Sequence, residues 1–134
     1  RNPYEVFYSM KKFMRIVLPR YCVQRPPSEQ SMNQYIFYMY KQLYETYFEQ
    51  KSMIPQKDLI QISYESFIKD SLNNVEKIYD AFNLEYSSKI NLKMKEYVEK
   101  QQNFKRSTYK MNQGLKDEIF EVWKFAFDKF DYSK

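Results

Sequence analysis

Glycine is almost missing from this chain. Gly114 is the only one in 134 residues, where roughly 7% is usual. Histidine is absent altogether, which removes the usual general base and the commonest metal ligand. Cys22 is the only cysteine. It allows no intrachain disulfide and no cysteine-based metal site. No apolar run reaches the roughly 18 residues of a membrane-spanning helix, and no signal peptide is visible. The chain begins at an arginine rather than a methionine, and one lacking its natural start could have lost such a leader.

What is present is aromatic and basic. There are 14 tyrosines and 11 phenylalanines. A nucleotide-composition bias produces the same excess, so it carries little functional weight. A hydrophobic fraction of 43% supports a packed core and argues against disorder. The length suits one ordinary domain. The net charge of +5 is unevenly placed. Residues 1–25 hold Arg1, Lys11, Lys12, Arg15, Arg20 and Arg25 against Glu5 alone, and residues 100–110 hold Lys100, Lys105, Arg106 and Lys110 with no acid. Such clusters attract phosphates, sulfated groups, nucleic acid or anionic surfaces, or are simply solvated faces.

The opening stretch "RNPYEVFYSM" is a helix start. Asn2 suits the N-cap, Pro3 the first helical position, and Glu5 the third residue of a capping box. Val6, Phe7, Met10, Phe13, Met14 and Val17 recur at helical spacing until Pro19, which predicts a helix over residues 3–18. Arg1 then lies beside a helix N-terminus, which favours anions. Ser9 follows eight residues later, roughly 80° past whole turns, so both can meet one phosphate. On spacing alone, a surface charge and a solvated helix serine explain the pattern better than a shared phosphate does, because R-x7-S is a weak pattern.

A proline-punctuated loop follows, "PRYCVQRPPSEQ". Ser31 with Gln34 suggests a second capping box and a long helix to about Gln50. "LIQISY" alternates apolar and polar residues and predicts one strand near 58–63. A single strand has no pairing partner, so its partners are expected outside this chain. Helices are predicted from about Ser71 to Phe82, from Lys89 to Gln101, and from Asn112–Gly114 onward.

This order of elements resembles the sulfotransferases that use 3′-phosphoadenosine 5′-phosphosulfate (PAPS). "RNPYEVFYSM" is similar to that family's 3′-phosphate-binding segment. "LIQISYESFIKDSLNNVEKIYDAFNLE" is similar to its strand, Tyr-Glu turn and following helix. "NFKRSTYKMNQGL…IFEVWKFAFDKFDY" matches its closing basic loop and last helix more loosely. The resemblance implies an α/β P-loop-like sulfotransferase fold, of which residues 1–134 form the mostly helical C-terminal part with one clear strand. The sulfonate-binding loop and the catalytic base are then expected upstream, and no catalytic residue within this chain.

The activity implied is sulfonate transfer from PAPS to a hydroxyl or amine acceptor, without a metal. Arg1 and Ser9 are the implied grip on the 3′-phosphate. Tyr64 is implied near the adenine, or is a core tyrosine after a strand. Lys105 and Arg106 are implied over the phosphate, or are exposed charges. The implied partners are the nucleotide co-substrate, the acceptor, and a missing N-terminal half or second chain completing the sheet. Two other classes stay open: a non-catalytic structural subunit of a larger assembly, and a basic helical nucleic-acid binder. An enzyme would sit in the cytoplasm or Golgi lumen, and a structural subunit in an organellar assembly.

Overall fold

The computed structural model describes residues 1–101 and 109–134. All regular structure among them is helical. The elements are α1 (Pro3–Tyr21), α2 (Glu29–Gln50), two short 3₁₀ turns (Lys51–Met53 and Gln56–Asp58), α3 (Tyr64–Lys69), α4 (Ser71–Ala81), α5 (Ser88–Gln101) and α6 (Gln113–Phe130). The chain divides into two compact units, one containing α1, α2 and α6, the other α3, α4 and α5.

The strand expected near 58–63 does not form, and with it the α/β architecture is corrected: the described residues contain no sheet. The reason is specific. Leu59 (φ −136°, ψ 121°) and Ser63 (φ −67°, ψ 146°) do have extended backbones. Ile60 and Ile62 are half-buried while Gln61 and Ser63 are exposed, so the alternation is real. A strand also needs a ladder of hydrogen bonds to a neighbour, and no described residue supplies one.

In the first unit the apolar stripes of three helices meet. Phe7 of α1, Ile36 of α2, and Ile119, Trp123 and Ala126 of α6 are completely buried, with Phe127 nearly so. Trp123 lies at the centre. Its ring stacks on Tyr40 at 3.8 Å and meets Phe7 and Phe37 edge-on at 5.6 Å each. Its Nε1–H donates to the Phe37 carbonyl at 3.2 Å, so the one polar atom of the indole is satisfied. The backbone at Trp123 departs from helical values (φ −108°, ψ 20°) and kinks α6.

Helix ends show how a chain with one glycine manages its caps. Residues in the left-handed region usually are glycine. Here Asn83 (φ 50°) follows α4 and Asp131 (φ 57°) caps α6. Both tolerate that region better than most side chains. Leu84 N–H then bonds the Tyr79 carbonyl at 2.8 Å, and Tyr132 N–H bonds Phe127 at 3.0 Å. Phe82, Asn83 and Leu84 therefore form the C-terminal cap of α4.

The second unit holds together differently. Among the described residues, none of the fully buried apolar side chains belongs to it. Its buried residue is Asn74, whose Nδ2 donates to the carbonyls of Ser66 (3.0 Å) and Asp70 (2.7 Å) and joins α3 to α4.

Candidate functional site

The site residues expected from the sequence fall in three places. Arg1 and Ser9 belong to the start of α1, in the first unit. Tyr64 opens α3 in the second unit. Lys105 and Arg106 lie outside the described residues.

At the start of α1, Asn2 caps the helix as expected: its Oδ1 accepts from the Tyr4 N–H at 2.9 Å. Pro3 follows at the first helical position. The helix end thus offers an anion little, since Pro3 has no N–H and that of Tyr4 is taken. The expected capping box is not completed. Glu5 turns instead to Arg1, whose Nε donates to Glu5 Oε2 at 3.0 Å. Residues four apart on a helix are neighbours on one face. Glu5 to Ser9 is such a step, and Lys12 is three beyond Ser9; Arg1 precedes the helix and reaches this flank through its bond to Glu5. The Arg1 guanidinium is therefore laid along the flank of α1 that carries Ser9. Arg1 and Lys12 are exposed, and Ser9 is half-buried.

The rest of the first basic cluster is partly used inside the protein. Lys11 faces the core and is buried. Its Nζ reaches Glu29 Oε2 at 2.8 Å, while Arg15 Nε donates to Glu29 Oε1 at 2.8 Å and Arg15 Nη2 also contacts that oxygen. The hydrogen bond from Lys11, then that from Arg15, hold the Glu29 carboxyl below its ordinary range. Glu29 thus ties α1 to α2, and Lys11 and Arg15 serve that junction. Sequence reasoning grouped them with Arg1 because charge counting cannot see a counter-ion fourteen or more residues away.

Tyr64 follows the Ser63 N-cap, whose Oγ accepts from the Ser66 N–H at 3.1 Å. It lines an open groove of about 520 Å³ between α3–α4 and α5, shared with Phe67, Leu72, Val75, Met94 and Val98. In the unit they line a groove because α5 and α3–α4 leave space between them.

Among the described residues there is no group of side chains suited to hold a metal ion, and no helix is long and apolar enough to cross a membrane. No family model, curated protein or solved structure matches the chain.

Proposed function

We propose that this chain contributes the 3′-phosphate grip of a PAPS-dependent sulfotransferase, with Arg1 and Ser9 as the gripping residues. The observation that carries the reading is the flank of α1: the Arg1 guanidinium bonds Glu5, which stands one helical turn before Ser9 on α1. A guanidinium fork can engage two phosphate oxygens, and a serine hydroxyl adds one donor. Donor type, charge sign and exposure fit a phosphate, and Glu5 opposes it.

In sulfonate transfer the acceptor oxygen or nitrogen attacks sulfur as the bond from sulfur to the 5′-phosphate oxygen breaks. The acceptor loses a proton, and a 3′,5′-bisphosphate leaves. Arg1 and Ser9 would act on the part of the co-substrate remote from sulfur. Binding there positions the reacting end. The proton transfer is assigned to none of the residues described here.

Calorimetric titration tests the reading. Arg1→Ala is expected to weaken 3′-phosphoadenosine 5′-phosphate binding about 10- to 150-fold, the range for one charge-assisted contact. Adenosine 5′-monophosphate, which lacks the 3′-phosphate, should barely respond. Ser9→Ala should lose less, and Arg1→Lys should not fully rescue, since an ammonium lacks the fork. Equal losses for the two nucleotides would mean that Arg1 supports the helix start only.

A further inference from the structure

Glu5 is the one acid in the first 25 residues, and it stands on the flank assigned to phosphate. We propose that Glu5 is an acidic competitor at this site: it holds the Arg1 side chain when no phosphate is bound, and opposes the phosphate that replaces it. The inference rests on the phosphate-binding reading above.

The geometry is as follows. Arg1 Nε and Glu5 Oε2 are 3.0 Å apart, with side chains 31% and 46% exposed. An ion pair so exposed is weak and exchanges readily for another anion. Glu5 and Ser9 are four residues apart on α1, so their Cβ atoms are about 5–6 Å apart. Any phosphate that reaches both Arg1 and Ser9 must come alongside the Glu5 carboxylate. Like charges a few ångströms apart repel even in water. Glu5 also lies in the first turn of α1, where its negative charge offsets the positive end of the helix dipole that would otherwise favour phosphate.

Two effects of Glu5 pull in opposite directions. It orders the Arg1 side chain, which aids binding. It also occupies a guanidinium donor and repels the incoming charge, which hinders binding. Ordering through an exposed pair four residues apart is a small term, whereas the repulsion acts on a phosphate carrying more than one negative charge. Opposition therefore wins. Affinity changes within one site fall mainly on the dissociation rate, so Glu5 would set how readily the bisphosphate leaves.

The test is titration of 3′-phosphoadenosine 5′-phosphate and adenosine 5′-monophosphate against wild type, Glu5→Gln, Glu5→Asp and Arg1→Ala. Glu5→Gln keeps the shape and removes the charge. It should tighten the bisphosphate about two- to tenfold and leave the monophosphate within about twofold. Glu5→Asp keeps the charge and should stay near wild type. A purely structural Glu5 would instead lower the thermal midpoint and weaken both nucleotides together. Unchanged or weaker bisphosphate binding in Glu5→Gln, with a selective loss in Arg1→Ala, would overturn the role of Glu5 alone. No selective loss in Arg1→Ala would overturn the phosphate site, and this inference with it.

Discussion

Phe7 and Phe13 lie on the same helix, six residues apart, and the structure gives them opposite fates. Phe7 is fully buried, and Phe13 is 63% exposed. Phe7 packs its ring against Phe37 at 5.0 Å and Trp123 at 5.6 Å. Phe7→Ala removes those contacts and opens a cavity that the three helices can close only in part. A buried Phe→Ala change costs about 3–5 kcal/mol, and the loss of both ring pairs to other helices places this site toward the upper end. Phe13→Ala should stay within about 0.5 kcal/mol of wild type, as surface changes do. Total stability of a small unit is about 5–15 kcal/mol, so Phe7→Ala leaves the first unit marginal. Trp123 is the only tryptophan, so its emission reports this unit alone. In urea, with slopes of about 1–3 kcal/mol/M, the emission midpoint should fall by more than about 1 M for Phe7→Ala and hardly move for Phe13→Ala. Phe7→Leu, which keeps most of the volume, should lose about 1.5 kcal/mol or less. Equal shifts for Phe7→Ala and Phe13→Ala would show that α1 does not pack by the face described.

Other outcomes follow from buried polar groups. Burial pushes the Tyr40 hydroxyl well above the ordinary tyrosine value. The unfolded chain releases that proton near pH 10 and the folded one only later, so this contribution is complete below about pH 10 and falls as pH rises above it. Helix loss and tyrosinate absorbance should then rise together in alkali, and Tyr40→Phe should move the transition upward; helix content unchanged while the tyrosines ionise would contradict this. Asn74→Ala leaves the carbonyls of Ser66 and Asp70 without the Asn74 donor and should cost about 1–3 kcal/mol. Asn74→Asp should not rescue, because an ionised carboxylate cannot donate. Hydrogen exchange of the α3 and α4 amides reads this directly, and unchanged protection in Asn74→Ala would count against it.

Where local chemistry decides a feature, the sequence shows it. Asn2 and Pro3 announced the start of α1, and Asn112 that of α6. Asn112 Oδ1 accepts from the Gly114 N–H at 2.8 Å. Competing local signals were harder to rank. Pro19 was expected to stop α1, yet the helix runs to Tyr21, because a proline in the last turn loses one bond while Cys22 N–H still reaches the Leu18 carbonyl at 2.9 Å. Ser31 was expected to cap α2, but the side chain of Ser28 accepts from the Ser31 N–H at 3.2 Å, and the helix starts two residues earlier than Ser31. Both serines fit the rule, and only the backbone path chooses between them. The strand expected near 58–63 needed a partner that local patterning cannot supply. At the candidate site, R-x7-S gave the pair of residues but not Glu5 between them as the partner of Arg1. That pairing competed with an equally good capping box.

The core and the candidate site are coupled through the rotation of α1. At about 100° per residue, Tyr4, Phe7 and Lys11 centre roughly 130° around the helix from Glu5, Ser9 and Lys12. Tyr4 and Phe7 are buried against α2 and α6 side chains, with Tyr4 and Phe127 rings 5.0 Å apart. Lys11 is held by Glu29. These contacts fix which way α1 is turned, and so aim the flank of Arg1, Glu5 and Ser9 away from the core. A phosphate grip that uses a residue before the helix and another on its second turn needs that turn intact. Loosening the core should therefore reduce preference for the 3′-phosphate, not only stability. Phe7→Leu, which retains the packing, should keep the bisphosphate-over-monophosphate ratio, whereas Phe7→Ala should erode it under conditions where α1 frays. If Phe7→Ala kept the full ratio while hydrogen exchange showed α1 frayed, the grip would not depend on helical geometry, and Ser9 would have no part in it.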